Sequence, residues 1–300
     1  MKRFGLIGCP ISHSLSPALF KAAYGDKYGS SYLYDLIEGD DFGKSFATFM
    51  ESYDGINVTA PFKEKAFDRA DTAEKECRAI GAANLLVKTA SGIAAYNTDF
   101  MGVKMSLEKT LAAHDRYGNG PAGLKALVAG CGGAGKAAAA AAAAMGMKTT
   151  ILNRTISKAE DFASGFPDNP FDVRPLVEFR ECLRCSDIII YTLPEAIPGL
   201  EDLSKDDFLT SHKTILEANY RDPRLPDILG KFFPGQIFPK DMNIVPGFSL
   251  RHQGKASEQK AACMVPEYVP GQQWLLYQAV AGYVIFTGEE PDEKAMMKVL

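Results

Sequence analysis

Three short polar segments stand out in the first hundred residues of this 300-residue chain. They are Ser12-His13-Ser14-Leu15-Ser16-Pro17, Asn57-Val58-Thr59-Ala60-Pro61-Phe62-Lys63 and Asn97-Thr98-Asp99, and Asn84 in GAANLLV joins them. They fall toward the ends of apolar, strand-like runs. In open α/β sheets, ligands collect at the carboxyl ends of the strands, so these side chains are candidates for one site. Lys63 and Asp99 are the pair among them with a clear chemical use. Hydride reduction of a ketone leaves an alkoxide that needs a proton, and a lysine near a carboxylate supplies it while stabilising negative charge. Taken singly, either residue reads as half of a surface ion pair. The hydroxyls and amides around them favour the catalytic reading.

A second group of residues suits a phosphate. Gly130-Cys131-Gly132-Gly133-Ala134-Gly135 fits the spacing G-x-G-x-x-G, follows the apolar run KALVA and opens an alanine-rich helix former. The pattern is weak alone, and a glycine turn without a ligand shares it. Between a strand and a helix it becomes a dinucleotide signal, because glycine lets the backbone approach a pyrophosphate that faces the helix N-terminus. An NAD site usually carries Asp or Glu about 20 residues further on. This chain has Asn153-Arg154-Thr155 there, with Lys158 one turn later. Arg154 offers a planar charged fork to a 2′-phosphate and Lys158 a second charge, so NADP is the expected cofactor.

The elements that must position these residues alternate along the chain. Strands are expected at Lys2–Ile7, Ser31–Ile37, Gly55–Thr59 and Asn84–Lys88, with helices from Ser16 and near Asp41–Glu51. A helical stretch from Phe100 leads to the polar segment 116–123, the candidate linker. Beyond it, strands at KALVAG, KTTILN, Asp187–Thr192 and Thr214–Asn219 alternate with helices, the pattern of a doubly wound sheet. The stretch from about Phe232 to Pro270 is irregular apart from a helical SEQKAAC at 257–263, and Gln272–Thr287 reads as a long helix. The length predicts two domains. Residues 1–103 are expected to form an α/β domain and 104–271 a Rossmann-type domain.

Composition narrows the function. A net charge of −4 and a pI near 5.7 give no electrostatic case for nucleic acid or an anionic membrane. No apolar run is long enough to span a bilayer, and the first residues lack a signal-peptide core. Six scattered cysteines suit reduced thiols and the cytoplasm. Cys182-x-x-Cys185 lacks a second ligand pair, and His114, His212 and His252 show no ligand spacing, so no metal is expected. His13 reads as a structural hydrogen-bonding residue.

Several segments together resemble the shikimate dehydrogenase family. They are GCPISHSLSP at 8–17, GINVTAPFK at 55–63, IGAAN at 80–84, YNTD at 96–99, GCGGAG at 130–135, NRTISKA at 153–159 and GQQWLLYQA at 271–279. They occur in the family's order and cover most of the chain. The resemblance implies an N-terminal substrate domain and a Rossmann NADP domain, with the ligand cleft between them and the C-terminal helix 272–300 returning to the first domain. It implies reversible NADPH-dependent reduction of 3-dehydroshikimate to shikimate, a step toward chorismate and the aromatic amino acids, by a monomer or homodimer. Carried over residue by residue, Lys63 and Asp99 would be the catalytic dyad. Ser14, Ser16 and Thr59 would bind the substrate carboxylate, with Tyr220 near it, and Asn84, Asp99 and Gln278 would bind ring hydroxyls. The nucleotide would lie on Gly130, Gly132, Gly133, Ala134, Gly135, Asn153, Arg154, Thr155 and Lys158.

The chain departs from the family pattern at four places. Phe20 and Lys21 replace a His-Asn pair and are assigned to packing. Tyr191-Thr192-Leu193-Pro194-Glu195 replaces an Asn-x-Thr strand end and bears on how the nicotinamide is held. Tyr220 is followed by Arg-Asp-Pro rather than one residue and Pro. The segment 221–270 is longer than in the family, and Asp241, Arg251 and His252 within it suggest a lid or rim, or else a surface elaboration or oligomer contact. A dehydrogenase acting on quinate as well as shikimate is the nearest alternative. A non-catalytic NADP-binding sensor is a further one, although it would be expected to lose Lys63 or Asp99.

Overall fold

The computed structural model describes residues 1–113, 120–197, 199–241 and 265–300. Residues 116–119 of the 116–123 segment, SEQKAAC, His114, and Arg251 and His252 of the suggested lid lie outside the described residues. The chain divides into two compact units, Met1–Gly102 with Leu275–Leu300, and Val103–Trp274.

The first unit is built on a six-stranded sheet of order β2-β1-β3-β5-β6-β4. The strands are β1 (Lys2–Gly8), β2 (Tyr32–Glu38), β3 (Gly55–Val58), β4 (Thr72–Ala73), β5 (Leu85–Thr89) and β6 (Gly92–Tyr96). β1 runs parallel to β2 and β3, whereas β5 is antiparallel to both β3 and β6. The sheet is therefore mixed, and the β5–β6 hairpin supplies the reversal that the alternating pattern did not suggest.

Period-two alternation divides the side chains of these strands between two faces. Ile7, Ile56 and Val58 share a buried cluster with Phe42 and Phe49 of helix α2 (Phe42–Ser52). The intervening positions, Phe4, Tyr34 and Asn57, point the other way. There Phe20 of helix α1 (Ser16–Tyr24) stacks on Tyr34 with centroids 4.3 Å apart, and Phe286 of the long helix Gly271–Thr287 stacks on Phe4 at 4.4 Å. Phe20 thus has the packing role assigned to it. Short helices α3 (Lys63–Asp68) and α4 (Lys75–Ile80) lie between β3 and β5 in the chain. Helix α5 (Thr98–Ala112) begins where the Asn97 carboxamide accepts from the Phe100 N–H at 3.1 Å, an N-cap bond.

The second unit has a fully parallel six-stranded sheet of order β9-β8-β7-β10-β11-β12. Its strands are β7 (Lys125–Ala129), β8 (Lys148–Asn153), β9 (Asp172–Pro175), β10 (Ile188–Tyr191), β11 (Thr214–Glu217) and β12 (Glu267–Val269). This is the doubly wound order, and its direction reverses between β7 and β10. β10 is buried at every residue, as a central parallel strand covered on both faces should be. β12 lies at the edge, where flanking Pro266 and Pro270 cost no ladder bonds. Helix α6 (Gly133–Ala144) buries Ala137–Ala142 against the sheet, and the small side chains permit close approach. Helices α7 (Ile156–Ala163), α8 (Phe179–Cys185), α9 (Lys205–Phe208) and α10 (Leu225–Phe232) follow, then α11 (Gly271–Thr287) and α12 (Glu293–Met297). Among the described residues, no helix is long and apolar enough to cross a membrane.

Candidate active site

In the first unit the polar segments converge, each held by backbone hydrogen bonds. The Thr59 N–H donates to Ile7 O at 2.9 Å, the Val58 N–H to Asn84 O at 2.8 Å and the Ala83 N–H to Lys63 O at 2.9 Å. Lys63 opens α3 and Asp99 sits in the first turn of α5, where the helix dipole favours a carboxylate. Lys63 Nζ lies 2.5 Å from Asp99 Oδ2, with side-chain exposures of 20% and 8%. The lysine keeps an open side, whereas the carboxylate is almost enclosed. Such a pair holds a proton donor beside its counter-ion with one face free for a reacting oxygen.

Asn84 is buried, and its Oδ1 accepts from the Thr98 N–H at 2.6 Å and from the Thr98 hydroxyl at 3.2 Å. With the oxygen committed, its amide N–H₂ is the part left for a ligand. Asn97, by contrast, donates to Ala82 O and caps α5, so its amide is architectural. Ser14 and Ser16 lie with their hydroxyl oxygens 3.2 Å apart, and the Ser16 N–H donates to Ser14 Oγ. Thr59 turns its methyl toward Gly8. Gln278 is half-buried in a stretch of α11 that is otherwise buried from Gly271 to Val280. One turn on, Gly282 packs beside Phe20 and the Asn57 amide, so Gln278 shares the helix face turned toward that sheet surface. Ser14, Ser16, Thr59, Lys63, Asn84, Asp99 and Gln278 all belong to this unit. His13 is exposed.

Tyr220 belongs to the second unit, two residues beyond the Ala218 that follows β11. It is half-buried, its carbonyl accepts from Gln272 Nε2 at 3.3 Å, and burial pushes its phenol pKa up. The Asn219 carboxamide accepts from the Arg221 and Asp222 N–H groups, which shapes the turn after Tyr220.

The glycine loop follows the carboxyl end of β7, at the point where the strand order reverses. Gly130 has φ of +105°, and a Cβ there would press on Thr192 and Leu193. A Cβ on Gly135 would collide with the Gly130 carbonyl, whereas one on Gly132 would meet open space. The loop is thus closed on its inner side and open on the side where a pyrophosphate approaches the N–H groups of α6. The Cys131 N–H donates to Asn153 Oδ1 at 3.3 Å, tying the loop to the end of β8. Asn153 also donates to Thr155 O at 2.8 Å. Arg154, Thr155 and Lys158 are exposed, and neither cation forms an ion pair among the described residues. These features fit a dinucleotide carrying a 2′-phosphate.

Tyr191 turns into the core, where its hydroxyl donates to Glu195 O at 2.9 Å, and Thr192 donates to Ala129 O at 2.8 Å. The segment 191–195 is thus held behind the glycine loop by hydrogen bonds from Tyr191 and Thr192. Cys182 is buried within α8 and Cys185 is exposed, and both thiols are free. Burial pushes the Cys182 thiol up to about 11.

Residues 6–86 match the shikimate dehydrogenase substrate-binding domain, and residues 113–201 match the shikimate/quinate 5-dehydrogenase family. A shikimate dehydrogenase (NADP⁺) of Legionella pneumophila is 30% identical over 71% of this chain and 76% of its own length. This chain belongs to the shikimate dehydrogenase family. It is also 32% identical to a pentafunctional AROM polypeptide of Lodderomyces elongisporus, over 85% of this chain. It spans only 17% of that much longer protein. Among solved structures, the shikimate 5-dehydrogenase of Mycobacterium fortuitum superposes with a TM-score of 0.70 at 26% identity, covering 100% of this chain and 97% of its own.

Two residues at the site were not singled out from the sequence. Tyr34 looks like one aromatic in an alternating strand, yet its hydroxyl donates to Asn57 Oδ1 at 2.8 Å, and Asn57 in turn donates to Asn84 O at 3.3 Å. Gln272 donates to the carbonyl of Tyr220. Neither carries a motif signal, because each acts through a neighbour.

Proposed function

We propose that this chain catalyses the reversible, NADPH-dependent reduction of 3-dehydroshikimate to shikimate. The observation that carries the reading is the Lys63–Asp99 pair, enclosed on the carboxylate side and open on the ammonium side, in a chain of this family. Bound NADPH supplies the hydride. Lys63 donates a proton to the oxygen that becomes the new hydroxyl and stabilises its negative charge as it forms. Asp99 holds the ammonium in place and accepts from a ring hydroxyl. Ser14, Ser16 and Thr59 offer hydroxyl donors to the substrate carboxylate, and the family resemblance assigns Tyr220 to the same group. The amides of Asn84 and Gln278 take ring hydroxyls. Arg154 and Lys158 meet the 2′-phosphate, and the loop from Gly130 to Gly135 with Asn153 and Thr155 holds the rest of the nucleotide. Five free thiols among the described residues suit a reducing cytoplasmic setting.

Absorbance of the reduced nicotinamide, followed with shikimate and with quinate, each with NADP and with NAD, tests this directly. Turnover is expected with shikimate and NADP above the other three pairs. Absence of turnover with every pair would remove the enzyme reading. Equal rates with quinate would make the broader dehydrogenase the better description.

A further inference from the structure

Beneath the serine pair lies a tyrosine to which the reaction assigns no role. Tyr34 is buried, with its ring stacked on Phe20 at 4.3 Å and an interplanar angle of 12°. Ser16 stands four residues before Phe20 on α1, so both lie on the same helix face, above the Tyr34 ring and its hydroxyl. Ser16 is a neighbour of that hydroxyl, and burial pushes the phenol pKa far above its ordinary value. Tyr34 is therefore a neutral O–H at any working pH. Its proton reaches Asn57 Oδ1 at 2.8 Å, and Asn57 reaches Asn84 O at 3.3 Å. One line of polar groups thus runs from Ser14 and Ser16 through Tyr34 and Asn57 to Asn84.

We infer that Tyr34 is a positioning residue for carboxylate recognition, its hydroxyl fixing the direction in which the Ser16 O–H points. A serine hydroxyl has one proton and two lone pairs, and it rotates freely unless a neighbour sets it. Without a carboxylate, Ser16 donates inward to the Tyr34 oxygen while Tyr34 donates to Asn57. With a carboxylate present, Ser16 donates outward and its inward lone pair accepts the single Tyr34 proton, which swings away from Asn57 Oδ1, so the Tyr34–Ser16 and Ser16–carboxylate bonds polarise one another. A phenylalanine keeps the stack on Phe20 and removes only the oxygen that sets this direction. The inference rests on the proposed role of Ser16 at the substrate carboxylate.

A double-mutant cycle tests it on the full chain, using Tyr34→Phe, Ser16→Ala and both together. Each single change should raise the KM for shikimate about fivefold, the worth of one hydrogen bond near 1 kcal/mol, and Tyr34→Phe should leave kcat within twofold. The double variant should be no worse than Ser16→Ala. The inhibition constant of cyclohex-1-ene-carboxylate, which has the acid and no ring hydroxyls, should rise with Tyr34→Phe by the same factor as KM. An unchanged KM in Ser16→Ala removes the underlying assignment of the serine. A raised KM there with an unchanged KM in Tyr34→Phe overturns the inference alone. Multiplying effects in the double variant also overturn it, because Tyr34 would then act elsewhere. Should Tyr34→Phe fail to accumulate, Asn57→Ser, which disturbs the acceptor of the same hydroxyl, should raise that inhibition constant, and no rise there overturns the inference.

Discussion

Lys63 in the first unit and Lys213 in the second are both withdrawn from water, yet their surroundings differ in kind. Lys213 is fully buried, just before β11 at the amino-terminal edge of its sheet. Its ammonium donates to Ser186 O at 2.7 Å, Arg184 O at 3.3 Å and Ser211 Oγ at 3.3 Å, so its three protons are all taken. Lys63 has one carboxylate at 2.5 Å and an open side. The same contrast separates Glu217 from Asn84. Both Glu217 oxygens are used, by the N–H groups of Arg224 and Leu225 and by the Tyr268 hydroxyl, whereas the Asn84 amide nitrogen has no partner among the described residues. Saturated polar groups in this chain hold loops and helix ends together. Chemistry is assigned to those that keep one direction unsatisfied.

The sharpest way to break this contrast is Lys63→Ala. Loss of a positioned proton donor is expected to lower the turnover number about 10³-fold and to leave NADP affinity and the unfolding midpoint nearly intact. Turnover within tenfold of wild type, a barrier change of about 1.4 kcal/mol, would put Lys63 in the same structural class as Lys213. Arg154→Ala carries the comparison to the nucleotide end of the second unit. A charge-assisted contact near 2 kcal/mol implies about a thirtyfold rise in the KM for NADPH, with little change for NADH. If the preference for NADP over NAD survives, Arg154 is an ordinary solvated arginine.

What could be read from the sequence follows from which physical signals are local. The glycine loop announces itself because three constraints coincide within a few residues: a buried strand, a turn that excludes Cβ atoms and a helix start. Lys63 and Asp99 stand out because polar segments at strand ends are unusual. The antiparallel β5–β6 hairpin is hard to read from the sequence because Thr89-Ala90-Ser91-Gly92 lacks the strongest turn residues. β12 hides in the Pro-flanked VPEYV, where prolines argue against a strand unless it lies at an edge. Tyr34 and Lys213 are invisible for a different reason. A tyrosine in an alternating strand and a lysine before one are ordinary in composition, and only the packing of α1 on the sheet, or of carbonyls around an ammonium, gives them roles.

Lys213 also gives the comparison a thermodynamic handle that needs no substrate. Desolvation lowers its pKa from 10.5 to about 8, against smaller opposing effects from Asp187 and Cys185. The folded chain therefore releases this proton more readily than the unfolded chain. Between those two values the unfolded state binds more protons, so the contribution of Lys213 to stability grows as pH rises and is lost as pH falls through 8. Measured against Lys213→Met, which cannot titrate, the unfolding free energy of the wild type should rise by about 1 kcal/mol from pH 7 to pH 9. Chemical denaturation of both proteins at the two pH values reads this difference, and titrations elsewhere in the chain cancel in the subtraction. A flat difference would mean that the three acceptors hold the ammonium as well as water does. Burial alone would then not distinguish Lys213 from Lys63, and the distinction would rest on the open side of Lys63.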